Sequence, residues 1–136
     1  MTALTQDRNT LRRDGQLLEP PVEGATKIYA GSIVAINAAG YAVPGSTATT
    51  LKAAGVAEHR ADNSAGAAGD IRVRVRKGSH VFANSTSTDA IALADIGTDC
   101  YIVDDQTVAK TNGTGTRSVA GKVFDVDAGG VWVNFL

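Results

Sequence analysis

At 136 residues the chain is long enough for one domain with a buried core and too short for two. Hydrophobic residues make up 43% but aromatics only 5%, so the core must be built from Val, Ile, Ala and Leu. The formal net charge of −1 excludes a global field that would draw the protein to nucleic acid or membrane.

Cys100 is the single cysteine, which excludes an intrachain disulfide and fits a reducing compartment. The first residues, Met1-Thr2-Ala3-Leu4-Thr5-Gln6, lack the basic start and apolar run of a signal peptide. No stretch approaches the ~20 apolar residues that a membrane helix requires. The expectation is a soluble protein, intracellular when made. Fifteen glycines, with many Ser and Thr, suggest short strands joined by frequent turns.

Residues 1–24 differ from the rest and read as an extended N-terminal arm; residues 25–136 read as a single β-rich domain. The arm has no strand or helix period. Pro20-Pro21 fixes an extended backbone there, because proline restricts both its own φ and the residue before it. Leu17 and Leu18 beside the prolines offer apolar contact, and Arg8, Arg12 and Arg13 offer charge pairing. The segment is long and compositionally mixed, which favours an arm that orders against a partner over a plain tail.

From Thr26 the expected strands are Lys27–Ala30, Ser32–Ile36, Tyr41–Val43 and Ala54–His59, with a flexible loop over Asp62–Gly69. Asp70–Lys77 is the cleanest period-two run in the chain. Ile71, Val73 and Val75 alternate with Arg72, Arg74 and Arg76, so three guanidinium groups about 7 Å apart share one strand face. They repel one another unless solvent or an anionic partner faces them. That partner is an acidic strand of the same chain, a neighbouring subunit or nucleic acid.

Gly78-Ser79 is placed for a tight hairpin into His80–Ala83. Asp89–Ile96 has good helix formers and stops at Gly97, which predicts one short helix of two turns. Cys100–Val103 and Thr107–Ala109 form the next pair of strands. The last hairpin is the clearest: Ser118–Val126, a turn at Asp127–Gly130, and Val131–Phe135. Together these predict a mainly all-β fold, a compact barrel or sandwich of short antiparallel strands with one short helix.

The chemistry of an enzyme is missing from the pattern. His59, His80 and Cys100 are far apart and include none of the close-spaced pairs typical of zinc sites. There is no G-x-S-x-G elbow, and Gly113-Thr114-Gly115 lacks the rest of a phosphate loop. Asp99, Asp104, Asp105, Asp125 and Asp127 do not match the spacing of a calcium loop. No catalytic, cofactor-binding or metal-ligating residue is assigned, and no cofactor is expected. Five aspartates fall between Asp89 and Asp105 with no basic residue among them. This block and the basic Arg72–Lys77 end are candidates to pair, within the fold or across a subunit contact. A β-sheet that binds nucleic acid places aromatics on its basic face. The Arg run carries none, so a nucleic-acid-binding β-barrel that uses this basic strand is the alternative reading.

The order of motifs forms a pattern of glycines and strands. It runs Gly31-Ser32-Ile33-Val34, Gly40-Tyr41-Ala42-Val43-Pro44, Gly55-Val56-Ala57 and Asp70–Val75. Gly97-Thr98-Asp99-Cys100-Tyr101-Ile102-Val103-Asp104-Asp105, Ala120-Gly121-Lys122-Val123 and Gly130-Val131-Trp132-Val133 complete it. From Lys27 to Leu136 this resembles the capsid cement, or head-decoration, proteins of tailed bacteriophages. The resemblance implies a small β-rich domain, made in the host bacterial cytoplasm, that trimerises on the outer capsid surface of the virion. There it bridges major capsid protein subunits after expansion and stabilises the head, with no enzymatic activity and no membrane or nucleic-acid partner. On this reading Arg8, Arg12, Arg13, Leu17, Leu18, Pro20 and Pro21 are the capsid or subunit contacts of the arm. Arg72, Arg74 and Arg76 are a charge ladder for subunit contact.

Overall fold

The computed structural model describes residues 2–136. The described residues form twelve short strands, the first of them within the expected arm: β1 (Leu17–Leu18), β2 (Thr26–Ile28), β3 (Ile33–Ile36), β4 (Ala42–Pro44), β5 (Lys52–Ala57) and β6 (Ala61–Asn63), then β7 (Val75–Arg76), β8 (Gly78–Asn84), β9 (Asp99–Ile102), β10 (Thr107–Ala109), β11 (Val119–Asp127) and β12 (Gly130–Phe135). The fold is mainly β, as the alternation and turn spacing predict. Five strands close into a barrel in the order β10, β8, β12, β11, β9. Its pairings are antiparallel except between β10 and β8. The final hairpin holds the register Val123 to Val133 and Val126 to Val131, with a bulge between Val123 and Asp125.

A second sheet has the order β1, β7, β5, β3, β4, and β2 pairs with β6 beside it. The chain after β1 gives this sheet its closure. Val22 donates its N–H to the Ile71 carbonyl (3.0 Å), while the Pro21 carbonyl accepts from Ala42 N–H (2.7 Å) and Glu23 N–H reaches the Ala42 carbonyl (3.1 Å). The segment thus leans on the Arg run with one edge and on β4 with the other.

There are two hydrophobic cores, and β3 lies between them. Ile33 and Ala35 point into the barrel with Phe82, Ile91, Cys100, Ile102, Val108, Val131, Val133 and Phe135. Val34 points the other way, against Val22, Ile28, Ala42, Val73 and Val75. A strand buried on both faces reads as a continuous apolar run, which is how Ile33-Val34-Ala35-Ile36 stands in the sequence. Each fully buried Val or Ile contributes about 1.5–3 kcal/mol relative to exposure. β5 divides its side chains the same way, Ala53 and Val56 against Ala54 and Ala57. Between them Gly55, at φ 145°, lies so close to the Arg76 carbonyl that an added Cβ would collide with it.

Three expectations are corrected. First, Asp89–Ile96 is not a helix. It forms two separate 3₁₀ turns, Ser87–Asp89 and Leu93–Asp95, with Ala92 extended between them. The Asn84 side chain takes both backbone groups of Ile91, at 2.9 Å each, which a helix would need for its own ladder. Two turns alone would not offset the cost of nucleation. Second, Gly78-Ser79 is not a hairpin. At Gly78, φ 101°, the chain leaves the second sheet and enters the barrel, so β8 pairs with β12 and β10 instead of with the Arg run. Third, the Asp62–Gly69 loop is tied down. Buried Asn63 sends its side-chain amide to the carbonyls of Glu23 and Ala67, both at 2.9 Å. Ala67 N–H reaches the Asp70 carboxylate at 2.9 Å.

Candidate interaction surfaces

The arm divides at Gly15, φ 77°. Residues 16–23 belong physically to the domain. Leu17 and Leu18 pair with Arg76 and Val75, Leu18 packs against the second core, and Val22 lies wholly within it. Pro20 and Pro21 suit this stretch, since neither ring nitrogen has a proton to leave unpaired. The Pro20 carbonyl instead accepts from Val73 N–H at 3.2 Å, and Pro21 bridges to Arg72. Residues 2–14 are different. Arg8, Arg12 and Arg13 are exposed and form no ion pair among the described residues. Leu4 is 71% exposed and Leu11 87%.

The Arg ladder keeps its alternation. Val73 and Val75 are fully buried and the three arginines are exposed, although only Val75–Arg76 forms a regular strand. Its anionic partners come from this chain. Arg74 meets Glu19 at 3.2 Å, Arg76 meets Glu58 at 3.3 Å, and Arg72 donates to the Glu19 carbonyl at 2.7 Å. At this exposure each ion pair is worth on the order of 0.2–1 kcal/mol, so the ladder orients the strand edge more than it stabilises it. His59 joins in by accepting the Arg74 N–H on Nε2 at 3.0 Å.

Within the chain the aspartate block does not pair with the ladder. Asp89 meets Arg117 at 3.3 Å, Asp95 meets Lys110 at 3.7 Å and Asp99 meets Lys122 at 2.7 Å. The Thr111 hydroxyl donates to the Asp89 carboxylate at 2.5 Å. That bond, followed by the Arg117 charge, holds the Asp89 carboxyl below the ordinary aspartate value of 3.8 against opposing desolvation. With a lowered folded pKa, the bond contributes fully above the unfolded value and is lost as pH falls through the folded one. In an acid NMR titration the Thr111 and Arg117 resonances should move together with a midpoint below 3.8. Asp89→Asn should abolish the transition, and a midpoint at or above 3.8 would contradict the assignment.

On the outer barrel face the structure exposes apolar residues that the sequence reading did not single out. Phe124 is the bulge residue of β11 and is 60% exposed. Val81, 40% exposed, lies directly opposite Trp132, and Trp132 lies opposite Asp125. The Gly97 N–H bonds to the Val123 carbonyl at 2.8 Å, which brings Ile96 and Leu93 (46% and 63% exposed) to the same edge. Asp127 accepts from the Trp132 indole at 2.9 Å. Neither Asp125 nor Asp127 has a cationic partner among the described residues.

His80 packs beside Phe135 with its Nε2 3.1 Å from the Lys77 carbonyl. Cys100 is buried in the barrel core, which pushes its thiol up to about 11. Among the described residues no group of three or more His, Cys, Asp or Glu is placed to hold a metal ion. Comparison with known proteins finds no family model, no curated protein and no solved structure that matches this chain.

Proposed function

We propose that this protein is a capsid cement protein of a tailed bacteriophage. It binds the outer surface of the expanded head as a trimer and bridges major capsid protein subunits by contact alone. The observation that carries the reading is the division at Gly15. A tightly tied two-core β body leaves thirteen residues unattached, with two exposed leucines and three unpaired arginines among them. Such a segment orders only where a surface offers matching grooves and charge, and the ordering cost makes its binding selective for a surface of one shape. The three copies of one trimer would act together, so that weak footholds sum to stable attachment, with each arm laid on the shell or on a neighbouring copy. The motif order from Lys27 to Leu136 supports the same reading. The pairing of the Arg ladder with Glu19 and Glu58, and the absence of an aromatic on β7, weigh against the nucleic-acid alternative.

The test has two parts. Light scattering of the purified protein should give three times 14.0 kDa, alone or on the shell. Co-sedimentation with heads of the encoding phage should show saturable binding to expanded shells and none to unexpanded ones. Failure to bind expanded shells would overturn the reading.

A further inference from the structure

Two surfaces of this molecule are unsatisfied at once, and they are complementary. The first is the Phe124 patch, a band across β8, β12 and β11 made by Val81, Trp132 and Phe124 and extended by Ile96 and Leu93. Val81 and Trp132 are directly opposite and share a face, and Phe124 stands exposed next to Asp125, the residue of β11 opposite Trp132. An exposed apolar patch rimmed by polar groups marks an interaction site more often than single exposed residues do. Its rim is acidic, with Asp125 and Asp127 lacking cationic partners among the described residues. The second surface is the segment before Gly15. It carries Leu4 and Leu11 exposed and three unpaired arginines against two aspartates, while the rest of the chain holds ten basic and twelve acidic residues.

We propose that residues 2–14 of one copy seat on the Phe124 patch of a second copy, leucines on the aromatic band and arginines beside Asp125 and Asp127. Reach permits it. Thirteen extended residues span about 40 Å, slightly more than the ~35 Å diameter expected for a globule of this length. Within one chain the arm does not take the seat, since Leu11 and Phe124 are both uncovered. A second copy supplies what each surface lacks. Charge complementarity of this kind fixes register and partner choice, and screening by salt weakens it.

The experiment needs no shell, so it is independent of the capsid reading. Trp132 is the only tryptophan in the chain and lies in the band, so its emission reports on the seat directly. A synthetic peptide of residues 2–14 is titrated into protein lacking those residues. Saturable change in Trp132 emission is expected, weakened by 0.5 M salt and reduced about tenfold or more by Phe124→Asp in the protein. Phe124 is exposed, so that variant should fold. As a check that leaves the protein untouched, a peptide with Arg8, Arg12 and Arg13 all changed to Glu should not bind. The full chain should associate with rising concentration, while the truncated chain stays monomeric. Unchanged Trp132 emission with the native peptide would overturn the proposal. So would equal binding of the Glu-substituted peptide. A full chain that stays monomeric while its Trp132 emission differs from the truncated form would show seating within one copy and overturn the second-copy assignment.

Discussion

Removing residues 2–14 should leave the melting temperature within about 2 °C of the full chain, whereas removing residues 2–24 should prevent folding at 37 °C. The first cut deletes no hydrogen bond or buried side chain of the domain. The second removes Val22 from its core, at about 2–4 kcal/mol, by analogy with other large-to-small core changes. It also strips the backbone bonds from residues 16, 20, 21, 22 and 23 and two of the three acceptors of the Asn63 amide, leaving buried groups unpaired at about 1–3 kcal/mol each. Such a sum rivals the whole stability of an ordinary domain. Circular dichroism melts of the two truncations decide this. On expanded heads the shorter truncation, though folded, should lose attachment. Full occupancy by that truncation would remove the arm from the proposed mechanism. A cut at residue 20 would confuse the two effects, since it removes β1 and the Glu19 partner of Arg74.

The largest point-mutation effect is expected at Asn63→Asp. Asn63 is 2% exposed, and its amide faces the carbonyls of Val22, Glu23 and Ala67. A carboxylate there would be buried opposite oxygen atoms with no cation to answer it, a cost of about 3–5 kcal/mol at neutral pH. The protonated acid would suffer less, so its folded pKa would lie above the unfolded value. Stability of this variant should therefore be greatest below the unfolded pKa and fall as pH rises towards the folded one. Denaturant melts between pH 4 and 7 should show the variant losing stability as pH rises over that range. A variant as stable as the parent at pH 7 would mean that the Asn63 contacts contribute little.

Much of the architecture was written in local pattern. Period-two alternation placed the final hairpin, and the buried and exposed sides of Ile71–Arg76 follow the sequence residue by residue. Turn glycines marked most strand ends. What local pattern could not carry were the long-range choices. Nothing in Gly78-Ser79 says whether the chain folds back on itself or changes sheets; that depends on Phe135 and Val131, more than fifty residues away, pairing with β8. The helix failed because Asn84, outside the segment, claims the polar groups of Ile91. The Arg ladder found its anions in Glu19 and Glu58, one of them in a stretch that resembled a free arm. The Phe124 patch was hidden because it is assembled across strands: alternation turns Phe124 outward after Val123, but only the long-range pairing of β12 with β8 sets Val81 opposite Trp132. Asn63 looked like loop composition, and only its burial shows it as a clamp.

The strand Ile33–Ile36 gives one wall to both hydrophobic cores. Neither core can melt and leave the other intact, because loss of either exposes a face of the same four residues. Two clusters that could have behaved as separately melting subdomains are thereby made one thermodynamic unit, whose calorimetric and van't Hoff enthalpies should coincide. For the proposed role on a capsid, this would have a practical meaning. No half-open intermediate is available through which the molecule could yield piecemeal, so it holds or fails entire.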